Sequence, residues 1–517
     1  MITMCFCLSL PQLLLLFLAF LVMSQVKGDY NYARAIRLSY KFYEAQRAGQ
    51  LPDNHIPWRK SSFLHDGSDN EIDLVGGYFD DTNRCERNNW NDVDTAGDYV
   101  KFGFPMAYTT TVLAWGMIEY ANVYKRPCLA AAGRAQLRWA TDYFIKYSKG
   151  QILESRRSSE HIMMSFQAHP SAKKLFGQVG KGDVDHKYWG RPEDWPSNME
   201  RPSYFIDENS PGSDLAAETA AAMAASSMVF RGNDDTYADT LLRHARELYA
   251  FADEKIVRYS ESIPDAQEFY PSTSCKDELT WAAAWLYRAT GETSYLDDAA
   301  NKYVEFELDH RPSEFSWDDK NAGVQVRAFL SCSRFDADPA VLLAVLTEEE
   351  KYKSAVEAFC SYIVDEVPRT PKGLVFISAW GVLRHAANVA YVCLVAADKL
   401  AINQEAYRNF AKQQIDYMLG DTGYSYQIGF GTNCPRRPHH ASSSCPTVEA
   451  CGGCECNWSY EATPNPNPNL LEGALVGGPD DQDRFTDNRT DFVTNEVTLD
   501  YNAGFQGALA GLLNARI

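Results

Sequence analysis

Two acidic side chains that could carry catalysis, Asp487 and Glu496, lie near the C-terminal end of the sequence in the stretch FTDNRTDFVTNEVTLDYNA. Apolar residues recur at every fourth position from Val497 to Leu509, which predicts a helix that begins at Glu496. A carboxyl group enclosed by packed helices has a raised pKa and can protonate a leaving oxygen. Taken alone, the stretch favours a structural interpretation, with Asp487 in a turn and Glu496 as an ordinary acid of the first helical turn.

A third acidic candidate, Asp98, lies in a glycine-containing loop near the N-terminal end. The segments Gly76–Asp80 and Ala96–Pro105 read GGYFD and AGDYVKFGFP, and glycines beside an aspartate form tight turns that present a carboxylate. An isolated Gly-Asp pair fits a surface turn equally well. The polar stretch 81–95 separates the two segments, and we interpret it, like 147–167, as an insertion.

The elements that must position these acids are predicted to be helices. Helical periodicity recurs after residue 30, whereas the alternation typical of strands is nearly absent. Gly-, Pro- and Asp-rich loops join the helices without a low-complexity linker, so we predict one all-α domain over 29–517, a toroid or solenoid with its function in long loops at one end. The predicted helices cover 30–47, 107–124, 128–146, 213–230, 234–255, 276–290, 293–305, 338–363, 378–400, 404–419 and 497–514.

The composition limits the classes of partner. The formal net charge of -20 would repel polyanions, so nucleic acid is excluded as a ligand. Aromatic residues make up 13% of the chain, with 11 Trp and 29 Tyr, which suits stacking against sugars. The same rings would also fill a large helical core, so this content alone does not decide between the two roles.

The first 28 residues are predicted to be a secretory signal peptide. An apolar run from Leu13 to Met23 is followed by small Ser24 and Gly28 around a plausible cleavage point. The run is shorter than the roughly 20 apolar residues that span a bilayer, which favours cleavage over an uncleaved signal anchor. We therefore expect a secreted protein that is not attached to a membrane after cleavage.

The cysteine pattern agrees with secretion. Of 13 Cys, Cys5 and Cys7 would leave with the signal, and the odd remainder predicts at least one free thiol. A crowded segment that also holds His439 and His440 could bind zinc, but a secreted context favours disulfides. The cysteines of this segment are Cys434, Cys445, Cys451, Cys454 and Cys456. Asn457 and Asn488 begin glycosylation sequons.

Several longer motifs occur together with the acidic stretches. They are QVG followed by DH and WGRPED from Gln178 onward, PGSDLAAETAAA from Pro211, SWDDK from Ser316, WGVLRHAANVAY from Trp380, and FGTNCPRRPHH before residue 441. With these motifs the chain, from about Tyr30 to Leu513, resembles glycoside hydrolase family 9, the inverting endoglucanases. The resemblance implies an (α/α)6 barrel of twelve helices with an open cleft, which cuts internal β-1,4-glucosidic bonds of cellulose and related glucans.

The resemblance also implies roles for the acidic candidates. Asp98 matches the general base that activates water, and Glu496 the general acid that protonates the leaving oxygen. Inversion requires the two carboxyl groups to stand about 6.5 to 9.5 Å apart, so that water fits between the base and the sugar. Asp487 matches a further acid that supports Glu496, and His439 matches the histidine of the cleft that binds sugar hydroxyls.

Further residues are implied in ligand binding. The sugar contacts are His186, Asp319, Trp380, Arg384 and Tyr501, although Trp380 also fits a core tryptophan of the predicted helix. Asp277, Glu278 and Asp318 match calcium ligands of the family, and hard oxygens suit Ca2+. The small Ser-Gly that usually precedes the first two is Thr273-Ser274 here. The chemistry itself requires no cofactor.

The sequence departs from the family pattern at two places. The expected Asp-Ala-Gly-Asp is split, so that Asp80 precedes the insertion and Thr95 directly precedes Ala96. Asp80 then positions the attacking water only if the insertion loops out, and poor positioning would slow the reaction. Ala441 replaces an arginine after the histidine pair. Two alternatives therefore stay open, a catalytically weakened carbohydrate-binding relative and a polysaccharide lyase on the same fold. We expect a monomer that acts on β-glucan.

Overall fold

The computed structural model describes residues 30–52, 56–80, 99–147, 174–325 and 350–517. The predicted signal peptide, the insertion at 81–95, all but the first residue of that at 147–167, and Asp98 lie outside the described residues. None of the described helices combines the length and hydropathy needed to cross a bilayer.

Twelve helices build the scaffold in the described part of the chain. They are α1 Tyr32–Ala45, α2 Gly103–Glu119, α3 Pro127–Tyr147, α4 Ser213–Phe230, α5 Asp235–Ala252, α6 Lys276–Thr290, α7 Thr293–Glu305, α8 Asn321–Gln325, α9 Glu350–Asp365, α10 Val382–Lys399, α11 Gln404–Asp416 and α12 Leu499–Asn514. Short helical turns occur in the loops between them.

The even-numbered helices form an inner ring. α2 packs against α4, α4 against α6 and α6 against α8, while α10 packs against α12 and α12 returns to α2. The odd-numbered helices lie outside: α5 contacts α4 and α6, and α11 contacts α10 and α12. This alternation of inner and outer helices around a ring is the arrangement of an (α/α)6 barrel, as the resemblance implies.

Residue patterns explain which helices lie inside. In α12 every residue from Leu499 to Leu513 is buried, because small and apolar residues cover all of its faces. In the outer helix α5 the buried residues recur three or four positions apart, from Ala238 through Leu241 and Ala245 to Leu248. A one-sided apolar stripe places such a helix on the outside of the ring.

Glycines allow α12 to lie close to α10. A Cβ atom on Gly504 would lie 2.1 Å from Asn388 Oδ1, and one on Gly511 would lie 2.2 Å from Leu394 Cδ2. Larger residues at these two positions would push the helices apart. The close approach fixes the start of α12, next to which Glu496 lies.

The sequence-based prediction missed a small antiparallel sheet. Its strands are β1 Lys101–Phe102, β2 Lys174–Val179 and β3 Ser203–Asp207, in the order β1-β2-β3. Lys101 pairs with Val179, and Lys174 pairs with Asp207. β1 is too short to show alternation, which explains the miss. The sheet matters because β1 begins three residues after Asp98 in the sequence.

Candidate active site

Glu496 lies in the connection between two helices, and not at the start of a helix as predicted. The short helix Phe492–Asn495 ends directly before it, and α12 begins three residues later at Leu499. Glu496 has extended backbone angles, φ -60° and ψ 153°, and forms an isolated bridge with His439. The four-residue spacing continues through Val497, but the bridge to His439 and the bond from the Gly477 N–H to the Glu496 carbonyl hold this residue extended.

Two side chains fix the carboxyl group of Glu496. Trp380 Nε1 and the Tyr501 hydroxyl both donate to Glu496 Oε2, each at 2.6 Å. Glu496 is only 1% exposed. The two donors therefore fix the orientation of the carboxyl group in a site with little access to water. A fixed carboxyl group can transfer its proton to an acceptor at one defined position.

Trp380 is a cleft residue and not a core residue. It precedes α10 by two positions, is partly exposed, and its ring lies 5.5 Å from that of Phe492. The predicted helix 378–400 would have placed it in the first helical turn. The structure therefore contradicts the core interpretation, and the sugar contact of Trp380 stays a prediction.

Arg384 and Tyr501 form the neighbouring part of the wall. Arg384 Nη1 donates to Asp500 Oδ2 at 3.0 Å, and the guanidinium carbon lies 5.4 Å from the Tyr501 ring centroid. The charge of Asp500 raises the pKa of Arg384 and burial raises that of Tyr501. Arg384 therefore stays cationic, and the Tyr501 hydroxyl stays protonated and able to donate to Glu496.

These groups open onto a cavity of about 350 Å³. Its wall includes Glu496, Trp380, Arg384 and Tyr501, together with Phe269, Tyr270, Ser313, Glu314, Ser316, Trp317, Asp318, Ile377, Ser378, His385 and Thr498. Aromatic rings and hydroxyl, carboxylate and guanidinium groups thus line the same space. Such a mixture suits a sugar, which offers C–H faces to rings and hydroxyls to polar groups.

His439 is held beside the acid as a neutral imidazole. Its backbone N–H donates to the Asn495 carbonyl at 2.9 Å, and its Nδ1 lies 2.6 Å from the Arg489 carbonyl oxygen. Because a carbonyl can only accept, Nδ1 carries the proton and Nε2 is an acceptor. Burial lowers the pKa of His439 to about 4. Among the described residues Nε2 is buried without a hydrogen-bond partner, and His439 does not line the cavity.

Asp487 connects two loops. Residues 485–496, the acid loop, contain Asp487 and Glu496, and residues 434–440, the histidine loop, contain His439. The two carboxylate oxygens of Asp487 accept the backbone N–H groups of Arg436 at 2.9 Å and Arg437 at 2.8 Å. His439 follows two residues later. The structure thus gives Asp487 a direct hold on the histidine loop, and through it on the backbone bridge to Glu496.

The structure describes the chain on both sides of the stretch 81–98. The Asp80 N–H donates to the Val100 carbonyl at 3.2 Å, so the ends of this stretch adjoin each other. Tyr99 is fixed by two contacts: its N–H donates to Asp185 Oδ1 at 2.8 Å and its hydroxyl to the Gly190 carbonyl at 2.6 Å. Asp80 is fully buried. The residue that directly follows Asp98 is therefore firmly anchored.

Two of the predicted sugar contacts lie outside the wall of the cavity. His186 packs its ring 4.9 Å from that of Phe269, which does line the cavity. Asp319 is absent from the lining residues of this cavity, whereas its neighbour Asp318 is present. Burial and the charge of Asp277 raise the pKa of Asp319 to about 7.

Comparison with known proteins agrees with this geometry. A family model described as "Glycosyl hydrolase family 9" matches residues 32–509. The chain belongs to glycosyl hydrolase family 9. It is similar to Endoglucanase 15 of Arabidopsis thaliana, with 38% identity over 98% of this chain and 98% of that protein. It is also 38% identical to Endoglucanase A of Bacillus pumilus, over 95% of this chain and 68% of that protein.

Solved family 9 structures have the same fold. The endoglucanase of the termite Nasutitermes takasagoensis superposes with a TM-score of 0.82 at 48% identity, covering 95% of this chain and all of that one. The cellulase Cel9M of C. cellulolyticum gives a TM-score of 0.75 at 33% identity, over 94% of this chain and 98% of that one. The predicted (α/α)6 barrel is therefore confirmed.

The geometry gives the calcium site of family 9 no support in the described residues. They contain no group of three or more His, Cys, Asp or Glu side chains arranged to hold a metal ion. Glu278 Oε1 accepts from Lys320 Nζ at 2.7 Å, Asp277 Oδ2 from the Lys320 N–H at 2.7 Å, and Asp318 Oδ1 from the Thr273 N–H at 2.8 Å. Nitrogen donors thus occupy an oxygen of each carboxylate. Calcium stays a prediction from the family resemblance.

The cysteine-rich segment forms disulfides, as predicted. Cys445 pairs with Cys456, and Cys451 pairs with Cys454. His440 is held by Gln46 and by the Ser443 N–H, so the zinc alternative is wrong for this segment. Among the described residues the free cysteines are Cys128, Cys275, Cys360, Cys393 and Cys434.

Sequence reasoning missed several residues that hold the family 9 site together. Asn495 is fully buried between the two loops: its carbonyl binds His439, and its Nδ2 donates to the Thr486 carbonyl at 2.8 Å. Arg489 is buried on the other side of His439. The signal in the sequence was the polar run DNRTD, residues 487–491. A polar run that is buried needs hydrogen-bond partners within the protein.

Proposed function

We propose that this protein is an endoglucanase that hydrolyses internal β-1,4-glucosidic bonds of cellulose and related glucans with inversion. The observation that carries the proposal is the buried carboxyl group of Glu496, held by Trp380 and Tyr501 on the wall of a sugar-compatible cavity. Membership of family 9 supports the same reaction, since the relatives reported above are named endoglucanases.

Glu496 is proposed as the general acid. When the glycosidic bond breaks, the departing sugar oxygen develops negative charge and takes a proton from this carboxyl group. Trp380 and Tyr501 both hold Oε2, so the carboxyl group cannot rotate freely. The same two donors stabilise the carboxylate that remains after the transfer.

Asp98 is proposed as the general base. The base removes a proton from water that attacks the sugar from the face opposite the leaving oxygen, at about 6.5 to 9.5 Å between the two carboxyl groups. Tyr99 anchors the adjacent backbone through Asp185 and Gly190. Asp80 adjoins Val100, which supports a role for Asp80 in holding the water despite the insertion.

His439 and the cavity wall are proposed to orient the glucan. Neutral Nε2 of His439 accepts a hydrogen bond from a sugar hydroxyl, the exposed part of Trp380 stacks on a sugar face, and Arg384 donates to hydroxyls. His186, through its packing on Phe269, and Asp319 are proposed to act further along the glucan. Asp487 holds the histidine loop in place. We further propose that the protein is secreted and monomeric, with residues 1–28 removed.

A viscosity assay tests the proposal. The purified protein should lower the viscosity of a carboxymethylcellulose solution faster than it releases reducing ends, which indicates cuts at internal bonds. Glu496→Gln, purified in parallel, should leave the viscosity unchanged. If the wild-type protein binds the polymer and never lowers its viscosity, it is a carbohydrate-binding relative and the proposed reaction is wrong.

A further inference from the structure

Arg489 has a guanidinium group buried among neutral acceptors. The residue is 1% exposed, and its hydrogen bonds run to the single loop 460–467. Nε and Nη2 donate to Asn467 Oδ1 at 2.8 and 2.5 Å, Nη1 to the carbonyls of Tyr460, Glu461 and Thr463 at 2.6, 3.1 and 3.0 Å, and Nη2 to that of Asn465 at 2.8 Å. A buried arginine is usually paired with a carboxylate, so this arrangement calls for an explanation.

The loop that Arg489 binds returns to the backbone beside His439. Asn467 Nδ2 donates to the Pro438 carbonyl at 3.3 Å, and the Asn467 N–H donates to the Arg436 carbonyl at 2.8 Å. The Arg489 carbonyl in turn accepts the Nδ1 proton of His439 at 2.6 Å. Arg489 thus contacts the histidine directly through its backbone and indirectly through Asn467.

We infer that Arg489 is a positioning residue for the proposed hydrolysis, which holds His439 as the neutral tautomer with its proton on Nδ1 and Nε2 free to accept from a glucan hydroxyl. The inference rests on the proposed function, because it assigns a use to Nε2. Its structural part, the hold of Arg489 on the protonation state of His439, is independent of catalysis.

The charges around His439 favour the neutral form. Arg489 faces it with a positive charge, and His186 and His440 add positive charge whenever they are protonated, while Asp491 is the opposing negative charge. Burial is the largest cause of the lowered pKa of His439; the hydrogen bond to the Arg489 carbonyl raises this pKa, and the charge of the Arg489 guanidinium lowers it. Removing the guanidinium should therefore raise the pKa of His439, so that the imidazolium forms at higher pH and Nε2 ceases to accept.

The experiment compares two substitutions of Arg489 in the full chain. Arg489→Met removes the charge at similar length, and Arg489→Lys keeps the charge with fewer donors. The imidazole of His439 is titrated by NMR and assigned with His439→Gln. We expect Arg489→Met to raise its pKa by about one unit, and Arg489→Lys to leave it low. Arg484→Met, a surface arginine that binds Asp480, is the matched control and should change nothing.

Kinetics on a soluble glucan supply the second readout. A rise in the pKa of His439 from about 4 to about 5 halves the neutral fraction at pH 5, so Arg489→Met should raise KM about twofold there and leave it nearly unchanged at pH 7, with a smaller effect on kcat. Arg489→Lys, which keeps the positive charge, should leave KM unchanged, and His439→Gln should remove the further effect of Arg489→Met.

Two results would overturn the inference. One is a folded Arg489→Met protein with an unchanged His439 titration and an unchanged KM, in which only the melting temperature falls. The other, decisive if Arg489→Met does not fold, is an Arg489→Lys protein in which the pKa of His439 rises by about one unit although the positive charge is kept. The NMR titration needs no turnover, so failure of the proposed function is seen separately, as an inactive wild-type protein.

Discussion

The two sides of the proposed cleft are built differently. On the acid side, Glu496 is fixed by Trp380, Tyr501 and the bridge to His439, and Asp487 and Asn495 tie the surrounding loops together. On the base side, the described residues are the anchors that flank 81–98. The position of Glu496 thus depends on hydrogen bonds between segments that are distant in sequence. The position of the proposed base depends on its neighbour Tyr99, which is anchored by Asp185 and Gly190.

This difference agrees with the predicted insertion within the motif of the proposed base. Asp80 and Val100 are hydrogen-bonded to each other, so the added residues leave and re-enter the fold at adjoining points. An insertion between Asp487 and Glu496 would instead separate groups that must all meet at His439. The base side therefore accepts added length where the acid side would not.

Separate removal of each carboxylate should have the largest effect and tests the roles proposed for the two sides of the cleft. Glu496→Gln and Asp98→Asn should each lower kcat by about 100- to 10,000-fold, because each removes a proton-transfer group while keeping its shape. Initial rates on soluble cello-oligosaccharides measure the loss, and circular dichroism checks the fold. If Asp98→Asn kept most of the activity, the base would have to be assigned to another residue.

Acid unfolding tests the acid side of the cleft, because His439 and His440 are buried there. Burial lowers the pKa of His439 to about 4 and that of His440 to about 3, below the value of about 6.5 in an unfolded chain. The unfolded state therefore binds protons first, and stability that is complete above about pH 6.5 is lost as the pH falls toward 4. For His439 the loss is on the order of 3 kcal/mol.

Urea unfolding of the wild type and of His439→Gln between pH 7 and 4 measures this loss. The free energy of unfolding should fall less steeply with pH in the variant. Parallel curves for the two proteins would contradict the lowered pKa, because they would show that His439 titrates at the same pH in the folded and unfolded states.

The hydrogen bond from Trp380 is the next target on the acid side. Trp380→Phe keeps an aromatic face but loses the Nε1 donor, and it should lower kcat about tenfold or more, since hydrogen bonds to charged groups contribute about 1.5 to 3 kcal/mol. Tyr501→Phe is the matched variant, which removes the other donor to the same oxygen. Rates equal to the wild type in both proteins would mean that the orientation of Glu496 does not depend on these donors.

Removal of residues 81–95 should have the smallest effect. Because the ends of the stretch adjoin, the shortened chain restores Asp80 next to Ala96 and should fold to the same barrel, with kcat/KM within roughly twofold of the wild type. Kinetics and thermal unfolding of the deletion variant provide the check. A large gain in rate would show that the insertion disturbs Asp98, and a large loss would show that it contributes to the site.

The helices were predictable from the sequence because helical periodicity is local, whereas the closed (α/α)6 barrel was implied by the family resemblance. The bounds of α4, α6 and α7 agree with the prediction, and the outer and inner helices differ in their apolar patterns. The starts of α10 and α12 were placed too early, since Trp380 and Val497 continue the apolar spacing although both residues lie before the helices. The sheet was missed because β1 has two residues.

The site was predictable only as a set of residue types. The family motifs indicated Glu496, Asp487, His439, Trp380 and Tyr501, and the structure brings these residues into one connected region. The polar run DNRTD indicates that its groups need partners, but it does not reveal that Arg489 binds carbonyl groups of residues 460–465 or that the Asn495 carbonyl binds His439. Such contacts follow from the folded chain and not from spacing in the sequence.

The stereochemistry of the first product tests the central claim most directly. Proton NMR of a cello-oligosaccharide digest, recorded within the first minutes, distinguishes the two anomers of the new reducing end. An acid and a base on opposite faces of the sugar predict that the α anomer forms first and then mutarotates. A digest in which the β anomer forms first would contradict the proposed roles of Glu496 and Asp98.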